Sequence, residues 1–528
     1  MSQPAQNYTF HTAYVAAIVA LGGFLMGFDA SVISGAVKFV EVEFDLSKIE
    51  LGWSVASLAL AATFAMLVSG PISDRYGRKA VLKYAAILFL ISAVISALAP
   101  SFLVLVIARM LGGLGVGAAL IIAPMYIAEI SPPALRGRMV SINQLNIVLG
   151  ISIAFFSNYL ILKLGQSDAN WAQALNIDEW NWRWMLGIEA LPAALYFLFL
   201  WLVPESPRWL FMQGKEDEAL AVMKKFSPES MAKAQMEDVR ASVQGPGEAR
   251  SSRLAELFDK PLRLVLAIGI TVAILQQITG INSVFFYAPM IFEQSGIGTD
   301  ASYMQAVLVG LTNLVFTLVA IALIDKIGRK TLLSIGVSGI AICMFVLAYG
   351  FGSASYTLNK SAIDALPAEV DRVQIAAIED RTFNSDLEFR SALVEVLGEE
   401  VAKVHESSFI SASINMNPTL ILLGILGFVA SFAMSLGPVM WVLFSELFPN
   451  QIRAIAISFV GFINSAISFL VQLVFPWELS TLGNSMTFMI YGTFAVIGLV
   501  IIIRLLPETK GRSLEELEKI LVNRPIQS

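Results

Sequence analysis

The sequence predicts an all-α membrane protein with twelve transmembrane helices in two pseudo-symmetric six-helix bundles. Composition is the first reason, because 56% of the 528 residues are hydrophobic and only 14% are charged. That charged fraction is too small for the surface of a soluble protein of this size. The second reason is the number of long apolar runs, and the third is an internal repeat that relates the two halves of the chain.

About 20 consecutive apolar residues, folded as a helix, span the ~30 Å hydrocarbon core of a membrane. The chain contains twelve such runs, six in each half. They lie at approximately 13–37, 51–73, 81–99, 102–126, 139–163, 184–203, 262–292, 301–324, 331–352, 417–445, 454–477 and 484–506. An even number of crossings places both chain ends on the same side of the membrane.

A short basic loop sequence recurs at half the chain length. Residues 74–79 read Asp-Arg-Tyr-Gly-Arg-Lys, and residues 325–330 read Asp-Lys-Ile-Gly-Arg-Lys, at an offset of 251. Two further pairs repeat at offsets of 317 and 303: Glu129 and Arg136 with Glu446 and Arg453, and 204–208 with 507–512. A repeat of this kind indicates a duplicated unit. The jump from 251 to 317 requires about 66 extra residues in the second half.

The repeat predicts the organisation of the chain. We expect an N-terminal bundle at 1–203, a cytoplasmic linker with short helices at 204–261, a C-terminal bundle at 262–506 and a tail at 507–528. An insertion at about 353–415 lies between the ninth and tenth helices and supplies the extra residues. Its mixture of charged and apolar residues predicts short surface helices. A lid and a passive decoration both remain open for it, because surface loops tolerate insertions well.

The distribution of positive charge predicts the orientation. Lys and Arg concentrate in the second, fourth and eighth connections, whereas the first connection is mainly acidic. By the positive-inside rule both termini are cytoplasmic and the insertion is extracytoplasmic. Residues 1–10 lack Lys and Arg, so we expect an uncleaved anchor in the inner (plasma) membrane rather than a signal peptide. The one cysteine, Cys343, excludes an intramolecular disulfide.

Three ionisable residues fall clearly within the apolar runs: Asp29, Arg109 and Glu189. Charges at membrane depth are costly unless they are paired, so these residues are candidates for proton coupling. Asp29 beside Arg109 is expected to stay ionised, and its protonation would release the arginine toward Glu189. A structural ion pair between helices is the alternative. The repeat favours coupling, because its offsets carry Asp29 to Gly280 and Arg109 to Leu426.

Neutral amides lie near the predicted membrane midplane. Gln276 and Gln277 come ~21 Å along the seventh helix, and Asn282 and Tyr287 follow beyond Gly280, which is expected to loosen the helix. Amides donate and accept hydrogen bonds, which suits a ligand with many hydroxyl groups. Further polar or aromatic residues at similar depth are Gln144, Asn313, Trp441 and Asn464.

The tenth helix carries a second predicted irregularity. Gly437-Pro438 is expected to break this helix just before Trp441, as happens where a discontinuous helix borders a substrate site. Phe432 is expected to supply apolar contact nearby. Interhelical hydrogen bonding is the alternative for any single amide in a membrane. The amides taken together with Trp441 favour a polyol site.

Over nearly its whole length, apart from the insertion, the chain resembles the sugar porter branch of the major facilitator superfamily. The matching strings are 74–79, 204–210 (Pro-Glu-Ser-Pro-Arg-Trp-Leu), 276–282 (Gln-Gln-Ile-Thr-Gly-Ile-Asn), 437–441 (Gly-Pro-Val-Met-Trp) and 507–512 (Pro-Glu-Thr-Lys-Gly-Arg). The resemblance implies the major facilitator fold and transport by alternating access between the two bundles.

The resemblance also implies roles for individual residues. The implied sugar contacts are Gln144, Gln276, Gln277, Asn282, Asn313, Trp441 and Asn464, to which we add Tyr287 and Phe432. It further implies a cytoplasmic salt-bridge network that holds the outward-facing state closed on the inside. The implied members of this network are Asp74, Arg75, Arg78, Glu129, Arg136, Glu205, Arg208, Asp325, Arg329, Glu446, Arg453 and Glu508.

Asp29, Arg109 and Glu189 match the charged set of proton-coupled members of the family. Facilitative members generally lack the aspartate, so the resemblance favours symport. The chain also departs from the family, because Ser465 stands where a tryptophan is common and Phe286 replaces one tyrosine of a pair. These departures remove stacking surface and leave the identity of the sugar open.

The predicted function is therefore secondary active import of a monosaccharide, a hexose or a pentose, together with a proton. A facilitative sugar uniporter and a non-transporting membrane sugar receptor remain alternatives. An enzyme is not predicted, because the sequence shows no nucleophile–base set, metal cluster or phosphate-binding loop. We expect no cofactor, no metal and no nucleic-acid partner, and a functional monomer in the lipid bilayer.

Overall fold

The computed structural model describes residues 3–133, 135–244, 257–259, 262–449 and 452–510. Within these residues, ten helices are long and apolar enough to cross a membrane. The helices in chain order are α1 (Gln3–Glu43), α2 (Lys48–Tyr76), α3 (Arg78–Ala97), α4 (Phe102–Ile130), α5 (Arg136–Gly165), α6 (Asn170–Ala174), α7 (Asn181–Gly187), α8 (Ala190–Phe199), α9 (Pro207–Met212), α10 (Glu216–Phe226), α11 (Glu229–Gln244), α12 (Arg263–Ile278), α13 (Ile281–Phe286), α14 (Ala288–Glu293), α15 (Thr299–Ile327), α16 (Arg329–Gly352), α17 (Lys360–Asp364), α18 (Arg372–Ile375), α19 (Asp386–Leu397), α20 (Glu399–Val404), α21 (Glu406–Ser413), α22 (Pro418–Met434), α23 (Leu436–Leu447) and α24 (Arg453–Leu505).

The count of ten differs from the predicted twelve for two local reasons. The sixth predicted crossing is divided into α7 and α8, and each part is too short to span alone. The eleventh and twelfth crossings are continuous in α24, whose Gly483 has a non-helical φ of 79°. When the divided crossing is included and α24 is separated at Gly483, the twelve predicted crossings are recovered. The predicted all-α membrane fold is confirmed.

Small residues allow α4 to pack closely against α2. A Cβ added to Gly113 would lie 2.3 Å from the carbonyl oxygen of Leu58, and one added to Gly117 would lie 2.3 Å from that of Ala62. Two glycines four residues apart lie on one helix face, which is how membrane helices bring their backbones together. The position of Arg109 on α4 is therefore set by a tight helix pair.

The described chain divides into two compact units. Unit 1 comprises 1–32, 57–154 and 183–252, and unit 2 comprises 33–56, 155–182 and 253–528. Unit 2 therefore includes stretches of α1, α2 and α5 along with the second half of the chain. One contact within unit 2 is the hydrogen bond from the Tyr303 hydroxyl to the carbonyl oxygen of Gly35, at 2.5 Å. The boundaries predicted from the repeat stay a prediction.

The insertion folds around a core of its own. Three short strands, β1 (Ser355–Thr357), β2 (Thr382–Phe383) and β3 (Ile414–Asn415), pair antiparallel in the order β2–β1–β3. The ring of Phe389 stacks on that of Tyr356 with centroids 5.2 Å apart, and both side chains are buried. The predicted short helices are present as α17 to α21. The sheet and the closed core were not predicted.

Polar contacts attach the insertion to its surroundings within unit 2. Lys403 donates to Asp45 Oδ1 at 2.9 Å and to the carbonyl oxygen of Leu46 at 2.8 Å. Asp386 Oδ2 accepts from the side chain of Asn484 in α24 at 2.9 Å. The insertion is thus fixed at several points, and the choice between a lid and a decoration stays open.

The linker after α8 forms three helices, α9 to α11, within unit 1. Their small core contains Leu210, Phe211, Met223 and Met236. These helices agree with the short helices predicted for the linker. Residues 245–256 of the linker and the tail beyond Lys510 lie outside the described residues.

Candidate functional site

A break in the seventh crossing organises the predicted sugar site. α12 ends at Ile278 and α13 begins at Ile281, with Gly280 between them at a φ of 85°. This left-handed conformation is easily reached only by glycine. The prediction that Gly280 interrupts the helix is consistent with this geometry. The break lets amides on both sides of it, Gln277 and Asn282, face each other.

Four amide side chains at this break form what we call the amide cluster: Gln276, Gln277, Asn282 and Asn464. Gln276 Oε1 accepts from Gln277 Nε2 at 3.1 Å and from Asn464 Nδ2 at 2.7 Å. Asn464 Oδ1 accepts from Gln277 Nε2 at 3.2 Å. Gln277 Oε1 accepts from Asn282 Nδ2 at 2.8 Å. The structure therefore brings together four of the nine predicted sugar contacts in one buried network.

Two further residues extend the amide cluster along α24. Ser468 Oγ accepts from Asn282 Nδ2 at 2.7 Å and from Gln472 Nε2 at 2.8 Å. The sequence interpretation missed both residues. The missed signal is spacing, because Asn464, Ser468 and Gln472 are four residues apart and therefore share one helix face.

The tenth crossing is broken two residues before the predicted Gly437-Pro438. α22 ends at Met434, and Ser435 has a non-helical φ of −126° and ψ of −92°. A proline lacks an N–H and its ring clashes with the carbonyl group four residues earlier, which here belongs to Met434. The break therefore falls before the proline. Just beyond the break, the carbonyl oxygen of Leu436 accepts from Gln276 Nε2 at 3.1 Å.

The other predicted sugar contacts lie outside the hydrogen-bonded network. Tyr287 is fully buried and donates to the backbone carbonyl oxygen of Gln472 at 3.1 Å. Asn313 and Phe432 are buried, whereas the side chain of Trp441 is 44% exposed and meets Phe444 edge-on at 5.9 Å.

Gln144, on α5 in unit 1, is the remaining predicted sugar contact, and its side chain is exposed. All nine residues stay predicted contacts.

The three predicted coupling residues are buried in unit 1. Arg109 Nη1 donates to the backbone carbonyl oxygen of Asp29 at 2.9 Å and forms an ion pair with Asp29 Oδ1. Glu189 lies at the division between α7 and α8, is 2% exposed and interacts electrostatically with both partners. Within the described residues, Asp29 Oδ2, Glu189 Oε1, and Nε and Nη2 of Arg109 form no hydrogen bond.

The absence of a side chain at Gly112 makes room for the Asp29 carboxylate. A Cβ at this position would lie 2.4 Å from Asp29 Oδ2 and 2.6 Å from Ser92 Oγ. The carboxylate therefore packs directly on the backbone of α4, the helix that also carries Arg109. Its second oxygen sits in a space too small for any side chain at position 112.

The chain is similar in sequence to known proteins. The family model described as "Sugar (and other) transporter" matches residues 15–367 and 396–521. The arabinose-proton symporter of Bacillus subtilis (strain 168) is 34% identical over 96% of this chain and 94% of that protein. The D-xylose-proton symporter of Escherichia coli (strain K12) is 34% identical over 97% of both. The chain belongs to the sugar transporter family.

Solved structures similar to this sugar transporter show the same fold. The inward open conformation of the xylose transporter XylE from E. coli has a TM-score of 0.73 at 32% identity and covers 97% of this chain and 100% of that one. The major facilitator superfamily proton:xylose symporter XylE bound to 6-bromo-6-deoxy-D-glucose has a TM-score of 0.69 at 33% identity, covering 98% and 100%. The predicted sugar porter membership is confirmed, and the protein is an integral membrane transporter, not an enzyme.

The first repeated loop of the transporter forms a compact ion-pair network, the first latch. Arg78 donates from Nε and Nη2 to the two carboxylate oxygens of Glu129, at 3.0 and 3.1 Å, and pairs with Asp74 at 2.8 Å. Ser206 Oγ donates to Glu129 Oε2 at 2.5 Å. Glu205 Oε1 accepts from the backbone N–H that follows Arg78, at 3.1 Å.

The second repeated loop forms an equivalent network, the second latch. Arg329 Nη2 pairs with Glu446 Oε1 at 2.9 Å, and the Arg329 backbone N–H donates to Glu508 Oε1 at 2.9 Å. Gly77 and Gly328, which precede the two latch arginines, have φ values of 97° and 101°. A Cβ added to Gly77 would lie 2.5 Å from the carboxylate of Glu205, and one added to Gly328 would lie 2.7 Å from that of Glu508. The glycine of the basic loop is thus required twice, for the same reason.

The remaining predicted network members have other surroundings. Arg136 Nε donates to the carbonyl oxygen of Ala128 at 3.1 Å, and Arg453 Nε donates to that of Phe448 at 3.0 Å. These bonds satisfy carbonyl groups at or near the ends of α4 and α23. Arg75 and Arg208 have exposed side chains, and the side chain of Asp325 lies outside the described part of the chain. The gate role of all twelve predicted network residues stays a prediction.

One carboxylate in each latch, Glu205 in the first and Glu508 in the second, has a shifted pKa, and the two shifts have opposite directions. Burial raises the pKa of Glu205 above its ordinary value of 4.5, although backbone N–H donors from Ser206 and the basic loop oppose the shift. Burial also acts to raise the pKa of Glu508. Four backbone N–H donors, including that of Arg329, outweigh burial there and hold the pKa of Glu508 below 4.5.

Within the described residues, no group of three His, Cys, Asp or Glu could hold a metal ion.

Proposed function

We propose that this transporter imports a monosaccharide by proton symport through alternating access between its two bundles. The single observation that carries the proposal is the buried amide cluster at the Gly280 break. Proton coupling rests in addition on the buried Asp29–Arg109 pair. The printed names of two relatives, an arabinose-proton and a D-xylose-proton symporter, support a small sugar and a proton as the transported pair.

The amide cluster has the chemistry that a sugar requires. Its members are neutral, so they attract no ion, and each amide offers two donors and two acceptor lone pairs. They now bind one another through bonds of 2.7–3.2 Å. A sugar hydroxyl that enters the cluster replaces an amide–amide bond by two bonds to the ligand. Tyr287, Asn313, Phe432 and Trp441 complete the proposed site in unit 2, and Gln144 stays a predicted sugar contact.

The charged trio has the chemistry that a proton switch requires. Asp29 holds Arg109 through one carboxylate oxygen and leaves the other without a hydrogen bond. Protonation of Asp29 removes the negative charge that holds the arginine. Arg109 has two nitrogens without hydrogen bonds, and Glu189 has an acceptor oxygen without one. We propose that Arg109 then turns toward Glu189, which links proton binding to movement of the helices that carry the three residues.

The two latches have the chemistry of a gate. Each joins helices of its own unit through a buried or half-buried arginine, and we propose that both lie on the cytoplasmic face with the two termini. In the outward-facing state they hold that face closed together with the other predicted network residues. Binding of the proton and the sugar releases them, and both substrates leave to the cytoplasm. The transporter acts as a monomer in the inner (plasma) membrane.

Sugar-dependent proton uptake by proteoliposomes tests the proposal. A competition panel of pentoses, hexoses and polyols against labelled D-xylose and L-arabinose first identifies the substrate. The wild type should then alkalinise the medium when sugar is added, and Asp29→Asn should retain counterflow but lose proton uptake. Unchanged proton-driven accumulation in Asp29→Asn would exclude the assigned role of Asp29. Sugar equilibration in the wild type that is insensitive to a protonophore would identify a uniporter instead.

A further inference from the structure

The conformation at Gly280 sets the geometry of the amide cluster. Gly280 separates Gln277 from Asn282, and the 2.8 Å bond between these two amides spans the break. A change in the backbone at position 280 therefore changes the spacing of donors and acceptors on its two sides. Glycine has no side chain that could restrict its backbone, so the conformation at position 280 must be held by neighbouring residues.

The ring of Tyr491 is the neighbour that covers this glycine. A Cβ added to Gly280 would lie 2.4 Å from Tyr491 Cδ2 and 2.5 Å from Cε2, so the ring rests directly on the glycine backbone. Tyr491 is buried and its hydroxyl donates to Glu478 Oε2 at 2.7 Å. On its other side the ring stacks with Phe475 at 6.3 Å, and Phe475 contacts the ring of Tyr287 at 5.2 Å.

Glu478 fixes Tyr491 from the opposite side of a turn in α24. The two residues are thirteen positions apart and flank Gly483, where the backbone of α24 is not helical. The hydrogen bond between them therefore closes this turn and fixes the direction of the Tyr491 ring. A hydrogen bond to a charged group is among the stronger ones that proteins form.

We propose that Glu478 is a positioning residue for the sugar site, which acts through Tyr491 on the Gly280 break. The carboxylate holds the tyrosine ring against the glycine, and the ring holds Gln277 and Asn282 at the spacing that a sugar requires. This inference rests on the proposed function of the amide cluster and adds a residue that does not touch the sugar. Neither Glu478 nor Tyr491 was among the predicted site residues.

Two substitutions remove the bond and one retains it. Tyr491→Phe keeps the ring but removes the donor, and Glu478→Leu removes the acceptor. Glu478→Gln retains an oxygen that accepts from the tyrosine hydroxyl, so it is the matched control. Tyr303→Phe is a second control, because it removes a buried tyrosine hydroxyl that donates elsewhere, to the carbonyl oxygen of Gly35.

Hydrogen–deuterium exchange of the purified full-length transporter gives a readout without sugar. Exchange of the backbone amides at 278–286 should rise in Tyr491→Phe and Glu478→Leu, and stay near the wild-type rate in Glu478→Gln and Tyr303→Phe. Equal exchange at 278–286 in all variants would overturn the inference. A rise of equal size in Glu478→Gln would overturn it as well.

Uptake of labelled D-xylose, with L-arabinose in parallel, gives the second readout. The KM should rise about tenfold in Tyr491→Phe and Glu478→Leu with little change in maximal rate, which corresponds to a loss of about 1.4 kcal/mol in binding. Glu478→Gln should restore most of the affinity. An unchanged KM in the first two variants would overturn the inference while the proposed function stands. A different result separates the two proposals. If exchange at 278–286 rises in Tyr491→Phe and Glu478→Leu but the wild type transports no sugar, the proposed function is overturned and the contact of Tyr491 with Gly280 stands.

Discussion

An alanine at position 112 tests the coupling role of Asp29 without changing any charge. The added Cβ would lie 2.4 Å from Asp29 Oδ2, whereas ordinary contacts of this kind begin near 3.4 Å, so the carboxylate must move by about 1 Å. Ser92 Oγ must move as well, because it lies 2.6 Å from the same Cβ. The ion pair with Arg109 must therefore be distorted.

The size of the effect follows from the cost of overpacking. An extra methyl group in a tightly packed interior costs about 1–3 kcal/mol. The cost applies in the state in which Asp29 rests on the α4 backbone, so it shifts the balance between ionised and protonated arrangements by about 5- to 150-fold. We expect Gly112→Ala to reduce the proton-driven accumulation of sugar by at least fivefold, at the low end of that range.

Proteoliposomes with an imposed pH gradient provide the assay. Accumulation of labelled sugar should fall in Gly112→Ala, whereas counterflow, which needs no net proton movement, should persist. Gly137→Ala is the matched control, because a Cβ at Gly137 meets nothing within 4 Å. Wild-type accumulation by a correctly folded Gly112→Ala protein would refute the assignment of the coupling site to the Asp29 carboxylate.

Three further predictions concern stability. Ser206→Ala should lower the free energy of unfolding by about 1.5–3 kcal/mol, because it removes a hydrogen bond to a charged group, whereas Thr509→Val should be nearly neutral; thermal melts compare the two. The pKa of Glu205 is raised above 4.5, so the contribution of Glu205 to stability is complete below pH 4.5 and is lost as pH rises through the raised pKa. The pKa of Glu508 is lowered below 4.5, so the contribution of Glu508 is complete above pH 4.5 and is lost as pH falls through the lowered pKa. Melts of Glu205→Gln and Glu508→Gln against pH should therefore flatten on opposite sides of pH 4.5, and flattening in the same window would contradict the assignment. Phe389→Ala should destabilise the insertion by about 3–5 kcal/mol, measured as faster proteolysis within 353–415, and equal proteolysis in wild type and variant would refute a closed core there.

The crossings and the repeat were predictable because both can be recognised in the sequence without knowledge of tertiary contacts. A run of apolar residues long enough to span a membrane has few alternatives to a helix in lipid. The basic loops at 74–79 and 325–330 were recognised by their repeated sequence, and the structure gives both the same glycine conformation and the same carboxylate contact. The pairing of Asp29 with Arg109 was predictable as well, because two opposite charges at one depth in lipid must find each other.

Helix breaks were harder to predict, because a proline does not interrupt every helix. Pro438 and Pro192 each follow, by four residues, the point where a crossing is interrupted, at Met434 and at Ile188. Pro71, in contrast, lies inside an uninterrupted α2. The outcome depends on the tertiary contacts around the proline, such as the hydrogen bond from Gln276 to the carbonyl oxygen of Leu436 beside the break in the tenth crossing. Such partners come from tertiary packing and are not visible in the local sequence.

The same limit explains the residues that the sequence interpretation missed. Ser468 and Gln472 share a helix face with Asn464, but a polar face on a membrane helix does not show which helix it meets. The contact of Tyr491 with Gly280 joins residues more than 200 positions apart. The core of the insertion depends on the strand pairing of Tyr356 with partners near 383 and 414, which no helical or apolar periodicity indicates.

The two latches show where duplicated halves have diverged. Both have a left-handed glycine, an arginine paired with a glutamate, and a second glutamate that accepts backbone N–H groups. In the first latch, Ser206 donates to Glu129 Oε2 at 2.5 Å, in addition to the two bonds from Arg78. Its counterpart Thr509 is buried, and within the described residues neither its hydroxyl nor Glu446 Oε2 has a hydrogen-bond partner. Among the described residues, the second latch therefore holds its glutamate with fewer hydrogen bonds than the first. We expect the cost of opening the latches to fall unequally on the two halves.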